Sequence, residues 1–433
     1  MDLALEGLLA LPDGVRKGVL GIDLETGAIA AIKKTLKADR TIDLGDRLIT
    51  PGAIDVHVHF RDPGLTKKED WRTGTTAAAF GGVTTVFDMP NTKPPTVDLE
   101  SLAEKFKAAQ RKACIDFGLW AGAKADSSFR HLPGASGLKI FLGPTTGELV
   151  SPDPEQLAQW LGAAVKANVP VAVHAEDPSL FRTLKSEART IEDHDKMRPP
   201  EAEAAAVRTL LEVLGGLEKK PRLHVAHLTS KQGLAALHGA EVTFGVTPHH
   251  LTFHTKSKLG ARGKVNPPLR TMADRITVDA LGDPRALVES DHAPHLSEEK
   301  DEERFAEAPS GLPGVETMVP MLMAQTMRGD MTATQFVALT SERPAALMGL
   351  ATAKLAVGMP ADLAVWSKRD LAPIKAANLH SKCGWSPFEG MDAVFPSHVF
   401  RRGVAVIDDF EFHGEPGAGA FVRPGSPRLA RPE

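Results

Sequence analysis

The stretch "AIDVHVHFRDPG", residues 53–64, sets two histidines one residue apart inside an apolar run, with an arginine two positions further on. The run reads as a buried strand. Successive side chains of a strand alternate between its faces, so His57, His59 and Arg61 are expected on the same side. Two imidazoles offering neutral nitrogens to one point make half of a zinc site. A lone His-x-His pair also fits an ordinary core, so the reading depends on what the remaining chain brings to it.

Seven further runs have the same texture: "VTTVFDM" (83–89), "IDFGLWA" (115–121), "GLKIFLG" (137–143), "VPVAVHAE" (169–176), "RLHVAHL" (222–228), "EVTFGVT" (241–247) and "ALVESDH" (286–292). Helical spacing of apolar residues in 101–112, 154–167 and 201–217 separates several of them. Eight β/α units of this size predict a TIM-type (β/α)8 barrel. An open doubly wound sheet is the competing fold, but no glycine-rich phosphate loop follows any of the strands. The first fifty residues alternate short apolar runs with turns, as in "GVLGIDLETGAIAAI" (18–32), and similar runs return in "LAVGMPADLAVW" (355–366) and "VFRRGVAVIDD" (399–409). Both chain ends are therefore expected to build one small β-sandwich, from residues 1–50 and 351–433, beside a barrel over 51–350. The Pro/Gly-rich end, 415–433, is expected to lie loosely on the surface.

A formal net charge of −4, with 42% hydrophobic and 24% charged residues, describes an ordinary globular chain and argues against a nucleic-acid or anionic-membrane surface. No apolar run is long enough to span a bilayer, and no basic-then-apolar leader opens the sequence. Two cysteines cannot make a disulfide framework, so a reducing cytoplasm is expected.

In such a barrel, chemistry sits where the strands end. Those ends carry His57, His59, Arg61, Asp88, Asn91, His174, Glu176, His227, Asp291, His292 and His295. Lys139 is the sole charge in its run. A bare ammonium there either snorkels to the rim or is chemically neutralised, for instance by adding carbon dioxide to become a carbamate. The carbamate's two oxygens could bridge two cations: one also held by His57, His59 and Asp291, the other by His174 and His227. A water shared between two divalent ions becomes a nucleophile at neutral pH.

With these motifs the chain resembles the amidohydrolase superfamily of cyclic-amide hydrolases and, within it, the dihydroorotases. The resemblance runs from about residue 45 to 410 and is carried by "HVHFRDPG", "GGVTTVFDMPNTKPP", "GLKIFLGPTTGEL", "HAED", "SDHAPH", "GLPGVETM" and "GWSPFEG". It implies two zinc ions per chain, held by His57, His59, carboxylated Lys139, His174, His227 and Asp291. It implies substrate contacts from Arg61, Asn91, His295, Thr145 and Thr146 in a closing loop, and backbone groups between Gly311 and Gly314. The implied reaction is the reversible cyclisation of N-carbamoyl-L-aspartate to L-dihydroorotate, with loss of water, in de novo pyrimidine biosynthesis. A metal-bridging hydroxide attacks, and Asp291 serves as general base and then acid.

There are departures. Some lysine-bridged relatives carry Cys and Glu as extra ligands where this chain has Ala226 and Gly245, so a third metal is not expected. That leaves His249 and His250 with packing or supporting roles. Asn266 stands where some relatives place a substrate-binding arginine. Sister enzymes acting on hydantoins typically use an active-site tyrosine, and this chain contains none. A hydantoinase- or allantoinase-type hydrolase and a non-catalytic scaffold for aspartate carbamoyltransferase are the alternatives. The expected partners are the small-molecule substrate, further copies of this chain and aspartate carbamoyltransferase.

Overall fold

Four strands open the chain: β1 (Leu3–Leu11), β2 (Gly14–Asp23), β3 (Ala28–Lys33) and β4 (Arg40–Pro51). The eight apolar runs then form β5 (Ala53–Val58), β6 (Val83–Asp88), β7 (Asp116–Gly122), β8 (Gly137–Phe141), β9 (Val171–His174), β10 (Leu223–Val225), β11 (Thr243–Val246) and β12 (Ala286–Val288). Six short strands follow: β13 (Leu363–Trp366), β14 (Leu371–Pro373), β15 (Asp392–Val394), β16 (His398–Arg401), β17 (Val404–Asp408) and β18 (Glu411–Phe412). This computed structural model describes residues 1–123, 134–144, 152–184, 187–301, 303–350 and 353–425.

Strands β5 to β12 pair in sequence order, each parallel to the next. Val58 bridges to His292, and the His59 N–H donates to the His292 carbonyl at 2.8 Å, which brings the last strand end against the first. The sheet is thus a nearly closed parallel barrel, as the eight runs predict. All but β7 are shorter than their runs, chiefly because the last residues of most runs leave the ladder to form the mouth.

Helices at Leu99–Lys112, Pro154–Ala167 and Pro200–Gly215 occupy the three expected positions. Asp98 and Asp153 begin the first two by accepting the backbone N–H of Ser101 and Gln156, caps worth about 1 kcal/mol each. The main core lies between strands and helices and includes Val86, Val173 and Phe244 facing Trp71, Leu102, Leu161 and Leu210.

The chain ends join in a second eight-stranded sheet, ordered β18-β17-β16-β13-β4-β1-β2-β3. Leu5, Leu20, Ile29, Ile49, Val365 and Phe400 share its separate apolar core, so this sheet wraps on itself. The C-terminal segment corrects one expectation. Up to residue 425 it is docked, not loose: Phe117 and Val422 exchange backbone bonds with Ala420 and Phe117 at 3.0 and 2.8 Å, and the Phe421 ring packs on Phe106 and Phe117. Gly419 permits this approach, since a Cβ there would sit 2.0 Å from the Ile115 carbonyl oxygen.

Candidate active site

The barrel mouth gathers His57, His59, Arg61, Asn91, Phe141, His174, His227, Asn266, Asp291 and Gly311 around an open cleft of about 410 Å³. Strand geometry explains His57, which lies within β5, and His174, the last residue of β9. Phe141 ends β8, and the others lie beyond the ladder. Arg61 (φ 63°), His227 (φ 38°) and Asp291 (φ 46°) have left-handed backbones, a strained state for such residues that clusters at functional sites. Arg61 therefore reaches the cleft through a bend, not through strand alternation, which corrects the reason given for its placement.

His57, His59 and Asp291 present ligand atoms within 4.8 Å of one another. The Asp291 carboxylate lies 3.3 Å from His57 Nε2 and 3.1 Å from His59 Nε2. His59 Nδ1 lies 2.7 Å from Asn91 Oδ1, which orients the ring so that Nε2 faces Asp291. Burial pulls His59 down to about 3, so the ring is neutral. Burial pushes the Asp291 carboxyl up, but His57 and His59 outweigh it and hold it well below the usual carboxylate range.

On the other side, His174 Nδ1 lies 3.2 Å from His227 Nε2. His174 Nε2 donates to Glu176 at 2.8 Å. Burial raises the Glu176 carboxyl, yet the Arg198 guanidinium and His174 hold it far below its ordinary range. The His174 proton is thereby fixed on Nε2, and Nδ1 turns a lone pair toward His227.

Lys139 is coupled to both groups: Asp291 pulls its pKa up, and its charge pulls those of His174 and His227 down. It is 1% exposed, its Nζ has no hydrogen-bond partner, and its nearest ring is Phe141, whose centroid is 5.1 Å away. Burial pulls its ammonium down to about 8 against the pull of Glu289 and Asp291, so a useful fraction is free amine near neutrality. The donor set suits divalent cations: four imidazoles linked by ring-centroid distances of 4.8–5.2 Å, a carboxylate converging on two of them, and a buried amine without a partner.

Arg61 is buried and donates from Nε to the Pro294 carbonyl at 3.3 Å, with Nη2 3.2 Å from His295 Nε2. It makes no ion pair with Asp62, whose partner is Lys112 at 2.6 Å. Burial lowers its pKa to about 10, which leaves it charged. Asn266 lines the cleft, and its Oδ1 accepts from His194 Nε2 at 2.9 Å. Gly311 also lines it, but its N–H donates to the Lys264 carbonyl at 3.0 Å. Gly314 lies apart, lining a smaller cavity with His292 and Trp385, and its N–H donates to His292 Nδ1 at 3.1 Å. Thr145 and Thr146 fall outside the described residues.

Asp88 is not in the cleft. It forms a buried ion pair with Lys105 at 2.5 Å and accepts the Phe60 N–H at 2.6 Å, which secures the segment carrying His59 and Arg61. His250 ties Thr247 to the Pro267 carbonyl, a packing role, while His249 is buried with Nδ1 unpartnered. The sequence reading missed Glu289. Its carboxylate lies 3.4 Å from His57 Nδ1 and 3.3 Å from His224 Nε2, and accepts the His227 N–H at 2.5 Å. It fills the space that a side chain at Gly245 would take: a Cβ there would meet Glu289 Oε1 at 2.1 Å. The signal was available, since Glu289 interrupts "ALVES" as Lys139 interrupts "GLKIFLG".

A barrel of this topology with this mouth defines a class, and the chain belongs to the amidohydrolase family, whose sequence profile matches residues 48–406. Among curated proteins it is similar to the dihydroorotase of Methanosarcina acetivorans, 39% identical over 92% of this chain and 91% of that one. The dihydroorotases of Halobacterium salinarum (37% identical; 90% and 94% covered) and Pyrococcus furiosus (34%; 99% and 98%) are similar over comparable spans. Among solved structures it resembles the L-hydantoinase (dihydropyrimidinase) of Arthrobacter aurescens, with TM-score 0.88, 26% identity and 98% and 99% coverage. The dihydropyrimidinase of Brevibacillus agri superposes with TM-score 0.87 at 27% identity over 100% of both chains. Among the described residues, no helix is long and apolar enough to cross a membrane.

Proposed function

We propose that this chain is a dihydroorotase that interconverts N-carbamoyl-L-aspartate and L-dihydroorotate in the cytoplasm. In this reading His57, His59, His174, His227, Asp291 and a carboxylated Lys139 hold two zinc ions. The observation that carries it is Arg61, with His295 3.2 Å away, lining the same cleft as the His57, His59 and Asp291 group. A planar guanidinium suits a carboxylate, which dihydroorotate has and hydantoin lacks. Bound at these positions, the cations would supply Lewis acidity and lower the pKa of a water.

The remaining work belongs to side chains. Asp291, held ionised beside the histidines, accepts the proton of the attacking water. The water oxygen bonds to the ring carbonyl carbon, the carbon–nitrogen bond breaks, and Asp291 returns the proton to the departing nitrogen. The new carboxyl group then ionises, so hydrolysis releases one proton and acid favours the ring. Arg61 holds the substrate's other carboxylate, and Asn266 offers an amide toward the ring.

Zinc-loaded protein prepared with bicarbonate tests this. Dihydroorotate should turn over in preference to hydantoin and allantoin, with two zinc ions per chain. Turnover of hydantoin in preference to dihydroorotate overturns the substrate, and metal-free inactive protein supports the scaffold alternative. Self-association and a complex with aspartate carbamoyltransferase belong to the same reading, and sedimentation of the chain alone and in mixture checks both.

A further inference from the structure

Lys68 lies in the bend that follows Arg61, away from the proposed metal ligands. Its backbone is fixed: the Lys68 N–H donates to the Leu65 carbonyl at 2.9 Å, and Lys382 Nζ reaches the Thr66 carbonyl at 2.9 Å. Its ammonium meets Glu299 Oε1 at 2.7 Å and His295 Nδ1 at 3.0 Å. His295 is anchored from the other side, where Trp385 Nε1 donates to its carbonyl at 2.9 Å.

An ammonium has three hydrogens and no lone pair, so it can only donate. His295 Nδ1 must therefore accept, and the ring's proton must sit on Nε2. That nitrogen faces the Ser310 carbonyl at 3.0 Å and Arg61 Nη2 at 3.2 Å. Arg61 is also donor-only. With a hydrogen on both, Nε2 and Nη2 cannot bond each other. In the opposite tautomer they could, and Arg61 and His295 would then satisfy one another instead of an incoming anion.

We propose that Lys68 is a positioning residue that locks His295 in its Nε2–H tautomer, so that the ring's one hydrogen goes to the Ser310 carbonyl and Arg61 Nη2 stays free to donate to the substrate's carboxylate. This rests on the dihydroorotase reading for the identity of that anion. Burial, reinforced by Arg61, Lys68 and Lys300, holds the His295 ring neutral, so the choice of tautomer decides what it offers. Glu299 keeps the ammonium in place and in turn accepts the Leu296 N–H at 2.9 Å.

The test uses the full chain loaded with zinc. Lys68→Met should raise KM for dihydroorotate about tenfold, the value of one hydrogen bond to a charged group, with kcat nearly unchanged. Lys68→Arg, which keeps a donor, should recover much of that loss. In a His295→Asn background, Lys68→Met should cost nothing further. An unchanged KM, a loss confined to kcat, or full additivity with His295→Asn overturns the proposal. Nitrogen-15 NMR of histidine-labelled parent protein, with His295 assigned from the His295→Asn spectrum, reads the tautomer without any variant of Lys68. A lone-pair Nδ1 supports the lock, and a protonated Nδ1 sinks it. Failure of the dihydroorotase reading is distinguishable: the parent would not turn over dihydroorotate, while the NMR result would still stand or fall alone.

Discussion

Two buried charges, Lys139 and Glu289, stand at the barrel mouth. Lys139 carries an ammonium with no partner, and such a group destabilises the protein that contains it. Replacing it with an apolar chain of similar length removes that cost. Lys139→Met should therefore melt no lower than the metal-free parent. Its turnover should nonetheless fall by at least the roughly 100-fold that disturbing even an outer partner of a metal ligand can cost. Calorimetry, metal analysis and a dihydroorotate assay check the pair of outcomes, and full activity with two zinc ions bound would remove Lys139 from the site. Glu289 makes the complementary case. It meets His57 Nδ1 and the His227 backbone, one residue from each proposed metal position. Glu289→Gln keeps the shape but loses the charge that orients His57. Zinc affinity, read by competition with a chelator, should fall about 10- to 100-fold, and an unchanged affinity would make Glu289 a packing residue only.

At the scale of elements, the short helix Ile191–Met197 shows how a distant segment shapes the cleft. Its His194 is buried, and Nε2 faces both Asn266 Oδ1 at 2.9 Å and the Val265 carbonyl at 3.0 Å, so the proton sits there. Burial, with Arg198, pulls its pKa from 6.5 to about 4. The unfolded chain thus binds this proton more tightly. Stability attributable to His194 is intact above pH 6.5 and is lost as pH falls toward 4, by on the order of 3 kcal/mol in full. In urea titrations between pH 7.5 and 4.5, His194→Gln should lose less stability than the parent, and parallel curves would reject the assignment. Legibility divides along the same line. The strands, His57 and His174 could be read because a parallel barrel is written as apolar runs whose rare polar residues stand out. Arg61 was placed correctly for the wrong reason, because a left-handed bend leaves no mark in a periodicity argument. The contacts of Lys68, Arg198 and His194 were not legible, since each joins segments far apart in sequence through loops without period.

For the molecule as a whole, the terminal sheet and the barrel meet at one buried carboxylate. Asp116, at the start of β7, accepts from the Arg402 guanidinium and from the Ala420 N–H at 3.0 Å, with Arg401 3.5 Å away. Arg402 lies between β16 and β17, where its N–H donates to Asp362 at 2.8 Å, and Ala420 belongs to the docked C-terminal segment. Three parts of the chain thus converge on Asp116, which is fully buried. Removing one member of a buried pair leaves the other charge desolvated and costs about 3–5 kcal/mol. Asp116→Ala should lower stability by that amount and free the segment around Ala420 to exchange its amide hydrogens. The proposed metal ligands lie elsewhere in the barrel, so on that reading zinc content per folded chain should be unchanged. Adding Arg402→Met should restore part of the stability, because the stranded guanidinium is then gone. If Asp116→Ala unfolds at the parent's urea midpoint, the ion pair adds nothing to the stability of this junction and only sets how the two sheets are aligned.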